Sequence, residues 1–247
     1  MTYLSRLLLN SRDPAVRRDL ADCQELHRTI LSAFPQMPAT NTGARAQLGV
    51  LYRVEPSVPT GRVPSVLVQS QMQPDWDVLK AGYLLDTNRE PENPACKAVD
   101  QSYALLREGA TLRFRLRANP TKRLSVQSGP GGDRTEGRRV ELVGDNARLE
   151  WLRRKAEQGG FRLRPVAPGS SVPDVRLRNE PKVSSRRRAA TGHPEPQQPR
   201  VLTFGAALFE GVLQVIDADR FRDTLARGVG SGKAYGFGLL SIAPLRG

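Results

Sequence analysis

Cysteine and histidine are almost missing from this chain, and lysine is scarce. Two cysteines, Cys23 and Cys96, exclude a disulfide framework. The only histidines are His27 and His193, so no metal-binding constellation is visible. No apolar run approaches the ~20 residues of a membrane helix, and Leu7–Leu9 is too short for a signal-peptide core. A soluble, cytoplasmic protein without metal or small-molecule cofactor is therefore expected.

What is abundant is arginine. Of 38 basic residues 32 are Arg and 6 are Lys, against 25 acidic ones, for a net charge of +13. A guanidinium grips a phosphate with two parallel hydrogen bonds, whereas an ammonium is a point charge. This excess points to a polyanionic partner, nucleic acid first, although an arginine-rich solvated surface would give the same count.

Element signals come in order. Tyr3–Leu9 reads as a strand. Asp13-Pro14 is a helix start with proline at the first position, and Asp22 with Glu25 is a second. The region is either one helix over 14–34 or a turn followed by a helix over 23–34, closed by Pro35 and Pro38. Strands follow at Leu48–Val54 and Ser65–Gln71, then a short helix near Asp75–Leu79 and a polar linker from Asn88 to Asp100. In Thr111–Ala118, Arg113, Arg115 and Arg117 alternate with Phe114 and Leu116, so a strand puts a guanidinium row on one face. Ser128–Gly137 reads as a loop or hairpin tip. Asp145–Gln158 reads as a helix capped by Asp145 or Asn146 and stopped by Gly159-Gly160. Pro165–Pro199 holds seven prolines and Arg186-Arg187-Arg188, and reads as a mobile insertion. Val201–Ile216, a helix capped by Asp217 and a strand Leu239–Ala243 complete the chain. The fold class is α+β, with two tandem ferredoxin-like βαββαβ domains, residues 1–100 and 101–247, facing a common cleft.

The densest motif is Gly228 to Gly238, five glycines in eleven residues around Lys233. Glycines such as Gly230 and Gly232 let backbone N–H groups approach a phosphate. It is not a P-loop, because Arg227 stands at the first glycine position and Ala234 at the Ser/Thr position. Nor is it a dinucleotide fingerprint, because Lys233 and Tyr235 fall where the third glycine belongs. Asp217 and Asp219 fit a helix cap and acidic first turn better than a metal pair. His27 has two readings. In one long helix it sits mid-stripe among Leu20, Cys23 and Ile30, as a core residue. In a helix starting at Asp22 it flanks Leu26 and Ile30 and can face a cleft. Spacing alone favours the core reading.

Several segments together resemble the CasE family, CRISPR RNA-processing endoribonucleases of type I-E Cascade complexes. They are Arg18-Asp19-Leu20 with Glu25-Leu26-His27-Arg28, the strand Phe114–Lys122, Phe209-Glu210-Gly211, and Gly238–Pro244 following the glycine-rich segment. The likeness runs from residue 3 to 244 and is weakest over Ser125–Arg139 and the proline-rich insertion. It implies two RNA-recognition-type domains, a CRISPR repeat hairpin as substrate, and cutting at the 3′ base of its stem. It implies 2′,3′-cyclic phosphate and 5′-hydroxyl ends, retention of mature CRISPR RNA, and the other Cascade subunits as partners. It also implies His27 as the catalytic residue, reversing the spacing preference. Family members carry tyrosine three residues before the histidine, and here Gln24 stands there. Gln24 and Lys233 are expected to support catalysis. Arg113, Arg115, Arg117, Lys122, Arg123, Arg186, Arg187, Arg188, Gly230, Gly232 and Lys233 are expected to bind RNA.

Overall fold

The structure, a computed structural model, describes residues 1–37, 43–55, 63–87, 92–124, 139–187 and 200–245. Asp13 accepts from Ala15 N at 2.6 Å and starts helix α1 (Pro14–Ala21). Asp22 is extended (φ −131°, ψ 108°), accepts from Gln24 N at 2.9 Å and starts α2 (Cys23–Leu31). Of the two readings of this region, neither the single helix nor the initial turn is found: there are two capped helices, because each aspartate offers an acceptor to its own first turn. The second ends at Leu31, and Pro38 lies outside the described residues.

Both helices cover one face of a four-stranded antiparallel sheet, β1 (Tyr3–Leu8), β2 (Leu51–Glu55), β3 (Ser65–Ser70) and β4 (Ala95–Ala98), in the order β2-β3-β1-β4. Leu7, Val16, Leu26, Ile30, Tyr52, Val66 and Val68 form its core. A one-turn helix α3 (Ala44–Gln47) precedes β2, so the strand starts at Leu51 rather than Leu48. The expected short helix near 75–79 is a single 3₁₀ turn, Trp76–Val78.

The linker expected over 88–100 is corrected by β4. Ala95–Ala98 pairs with β1, Tyr3 opposite Ala98 and Arg6 opposite Ala95, and residues 88–91 lie outside the described part. β4 is a largely exposed edge strand, so it carries no apolar alternation for a reader to find.

A short helix α4 (Asp100–Ala104) leads into a second sheet, β11-β5-β10-β8, from β5 (Thr111–Ala118), β8 (Phe161–Leu163), β10 (Arg200–Val215) and β11 (Leu240–Pro244). Helices α5 (Asp145–Gln158) and α6 (Ala218–Arg227) cover it, burying Phe114, Leu116, Trp151, Phe209 and Phe221. Each such aromatic or leucine contributes about 1.5–3 kcal/mol by leaving water. Strand orders and helix placements make this two ferredoxin-like units in tandem. The α5 cap is Gly144, with no side-chain bond, rather than Asp145 or Asn146. Asp217 caps α6, accepting from Arg220 N at 2.9 Å. A two-stranded ribbon, β6 (Thr121–Arg123) with β7 (Arg139–Glu141), extends from β5; the expected tip at 128–137 lies outside the described residues.

The second correction concerns 165–199. Most of its described part is strand β9 (Val175–Arg187), paired with β10 from Arg187 opposite Arg200 to Val175 opposite Gly211. Pro181 is tolerated because the register shifts there, between Phe204 and Ala206, and a bulge needs no ladder N–H from it. Residues 188–199 lie outside the described part.

Candidate active site

His27 lies on α2 one turn before Leu31, with Leu26 and Ile30 buried beneath it and its own ring half-buried. That is the flank position of the shorter-helix reading. Tyr52 stacks on the ring at 6.4 Å between centroids and 17° between planes. Tyr235 faces it at 6.5 Å and 59°. Nδ1 is buried and bonds nothing among the described residues, which is costly for a purely structural histidine. Burial first, then the guanidiniums of Arg45 and Arg28, pushes the imidazole down from 6.5 to about 4. The ring is neutral at pH 7 and ready to accept a proton.

α2 packs against the turn Lys233–Tyr235, which brings the glycine-rich segment to the histidine. The Tyr52 hydroxyl fixes that turn, donating to Ala234 O at 2.9 Å from a fully buried ring. Phe204 of β10 braces the other side, stacking on Tyr235 at 4.6 Å. The glycines serve backbone shape and packing. Gly230 (φ 82°) lies against Trp151, 2.8 Å from where a Cβ would sit, and at Gly232 (φ 75°) a Cβ would stand 2.9 Å from the Phe237 ring. Neither position tolerates a side chain, so their presence is explained without a phosphate.

Two cations flank the histidine without a carboxylate partner among the described residues. Arg45, on α3, donates to Val50 O at 3.0 Å and forms no ion pair with the described residues. Lys233 likewise has none, and burial followed by Arg45, Lys155 and Arg227 lowers its pKa. Uncompensated, half-buried positive charge beside a neutral imidazole is what an anionic phosphate would complete. Sequence reasoning found His27 and Lys233 but missed Arg45, Tyr52 and Tyr235. Arg45 stands on a single turn with no motif around it, and Tyr52 reads as an ordinary strand residue.

Gln24, one turn before His27, accepts from the Ser185 hydroxyl at 3.1 Å, so β9 reaches across to α2. The structure does not gather the remaining expected residues into this pocket. Arg115 bonds Glu55 at 2.7 Å and Glu210 at 2.5 Å, while Arg117 bonds Glu180 at 2.5 Å and lies over Phe237. Arg113 is exposed at the far end of β5. Lys122 and Arg123 are exposed on the β6–β7 ribbon, which adjoins the glycine-rich segment through Thr121 and Ser231 at 3.3 Å. Arg123 stands directly opposite Arg139, a like-charge pair that an anion would relieve. Arg186 and Arg187 belong to β9, and Arg188 lies outside the described residues.

Comparison with known proteins accounts for the whole chain. The family described as "CRISPR associated protein" matches residues 2–244. The CRISPR-associated endoribonuclease Cse3 of Thermus thermophilus is 39% identical over 98% of this chain and 100% of its own length. The CRISPR system Cascade subunit CasE of Escherichia coli is 28% identical over the same shares. Thermus thermophilus Cse3 bound to an RNA representing a pre-cleavage complex superposes with a TM-score of 0.70 at 38% identity, covering 98% of this chain and 99% of that one. Among the described residues no helix is long and apolar enough to cross a membrane. From residue 2 to residue 244, with its paired ferredoxin-like sheets and His27 at their junction, the chain belongs to the CRISPR-associated protein family, among the Cse3/CasE endoribonucleases.

Proposed function

We infer that this protein is an endoribonuclease that binds CRISPR repeat hairpins and cuts precursor CRISPR RNA at the 3′ base of the stem. The observation that carries the reading is His27, held neutral between Tyr52 and Tyr235 beside Arg45 and the turn that carries Lys233, two cations with no carboxylate partner among the described residues. The ribose 2′-oxygen attacks the adjacent phosphorus and the bond to the next 5′-oxygen breaks. The products are a 2′,3′-cyclic phosphate and a 5′-hydroxyl. The nucleophile belongs to the RNA, so the reaction needs no metal-bound water. His27 takes the 2′-hydroxyl proton, and the proton it then carries balances the one the departing 5′-oxygen gains to become a hydroxyl; a positioned acid–base group of this kind contributes about 10²–10⁴-fold. Arg45 and Lys233 balance the charge that builds on the phosphorane oxygens. Gln24 cannot exchange a proton; held by Ser185, it contributes hydrogen bonding alone.

Residues 1–100 form the domain that carries His27 in this reading, and 101–247 the domain that carries the glycine-rich segment. Lys122 and Arg123 reach the hairpin stem through its phosphates, in keeping with how duplex RNA is read. The likeness to a Cascade subunit supports a cytoplasmic protein that keeps its product and joins the other Cascade subunits. Incubation with the repeat hairpin in EDTA tests the reading. Wild type is expected to yield cyclic-phosphate ends and His27→Ala to be slower by about 10²–10⁴-fold. Tight binding without product, or undiminished cutting by His27→Ala, would overturn it.

A further inference from the structure

The guanidinium face of the second sheet continues well beyond the His27 pocket into a groove of about 600 Å³. Arg176, Glu210, Arg115 and Ser241 stand in one line across β9, β10, β5 and β11, and Arg113 is two residues along β5 from that line. Most charges here are already answered. Glu210 bonds both Arg115 and Arg178, and Glu55 bonds Arg53 and Arg115. Two are not: Arg113 and Arg176 are exposed and have no acceptor among the described residues, while Asp174 is the groove's one unpaired carboxylate. The Ser241 hydroxyl, on a residue lining the same groove, is buried and also has no partner among the described residues. Two exposed guanidinium forks without acceptors ask for anionic oxygens.

We propose that this groove holds the sugar–phosphate backbone of single-stranded RNA flanking the hairpin, as a second RNA site. The proposal rests on the endoribonuclease reading above. Recognition would go through phosphate and not through bases, because the only aromatic lining the groove, Phe114, is 4% exposed and offers no stacking surface. Its distance from the cut makes the proposal specific. Phe204 braces Tyr235 beside His27, and Val212 is the cross-strand partner of Arg113. The eight residue steps from Phe204 to Val212 span about 26 Å at ~3.3 Å each. A strand that stays stacked advances about 3.4 Å per nucleotide, so a flank of about eight nucleotides covers that span and one of about three falls short of it.

Binding is measured with hairpins carrying a 2′-deoxy sugar at the cut, so that none is consumed. Some have no flank; others carry about three or about eight nucleotides, the length set by the spacing above, on the 5′ or the 3′ side. Wild type is expected to bind one of the longer RNAs roughly tenfold more tightly than the bare hairpin, with no gain from the short flanks. The arm that gains identifies which strand occupies the groove. In R113Q/R176Q the gain should vanish, and the salt slope for that RNA should fall by about 1.4, two contacts at ~0.7 each. The ratio of flanked to bare hairpin is taken within each protein, so a general loss of positive charge cancels. Equal affinity for all RNAs in wild type, a gain that builds from the first nucleotides, or a gain that survives in the variant would overturn the proposal, and an acidic protein segment would become the groove's better partner. Failure of wild type to cut the unmodified hairpin would strike the endoribonuclease reading instead.

Discussion

Two sets of cations meet where the sheets adjoin, and they differ in whether a carboxylate answers them. Along the seam, Arg53, Arg115 and Arg117 are matched by Glu55, Glu210 and Glu180 at 2.5–2.7 Å. Beside His27, Arg45 and Lys233 have no such partner among the described residues, although both are half-buried. The first set is structural: its charge is spent inside the protein, where it ties β5 to β2, β9 and β10. The second keeps its charge unanswered, and its Arg45, after burial, helps to lower the pKa of the neighbouring imidazole. Arginine content alone therefore does not locate the RNA. Arginine without a carboxylate does.

The sharpest way to break that contrast is at Arg53. Its side chain is 3% exposed, pairs with Glu55 at 2.5 Å and donates to Arg115 O and Leu239 O at 3.1 and 3.2 Å. Removing it takes a donor from two carbonyls and leaves part of a carboxylate unpaired. Arg53→Ala is expected to lower stability by about 3–5 kcal/mol, the range for halving a buried ion pair. Urea unfolding measures it. An unchanged midpoint would mean the seam is not structural, and its arginines would return to the list of RNA ligands.

The opposite expectation holds at Arg45. Arg45→Ala should slow single-turnover cleavage by about 10²–10³-fold, as loss of one charge-stabilising donor does. Its unfolding midpoint should move far less than that of Arg53→Ala. Lysine at this position should restore part of the rate, since position and charge survive while the fork does not. A variant that cuts normally but melts early would place Arg45 with the seam.

How far the sequence foretold this arrangement depends on the residue. β5 and α5 were legible to the residue, because alternation in Thr111–Ala118 and the Gly159-Gly160 stop are local signals. β4 was not, since its four residues form an edge whose only support is the backbone of β1. β9 was hidden by Pro181, which composition counts against order and which a bulge accommodates. At the site, resemblance and not spacing singled out His27. Arg45 and Ser185 were invisible because their meaning lies in contacts across the chain, 161 residues apart for Ser185 and Gln24. The guanidinium row on β5 was correctly read as a row. Its pairing partners come from β2, β9 and β10, which no local pattern reports.

The least disruptive test of the contrast is pH. His27 has a folded pKa of about 4 against an ordinary 6.5. Between those values the unfolded chain binds a proton that the native state refuses. Stability from this group is therefore complete above pH 6.5 and lost as pH falls through 4, up to about 3 kcal/mol in all. His27→Gln removes the proton site, so the variant should lose about 2 kcal/mol less stability than wild type between pH 7 and pH 4.5. Equal losses would mean that neither burial nor Arg45 and Arg28 holds the ring neutral. Catalysis gives the complementary sign. An RNA phosphate set against Arg45 cancels part of what depresses the imidazole, so His27 titrates higher in the complex than in free enzyme. The acid limb of kcat is then expected at higher pH than that of kcat/KM, which reports the free protein. Coincident limbs would show that the phosphate does not sit among the unpaired cations, and the distinction between charge spent on structure and charge kept for RNA would fail at its most important residue.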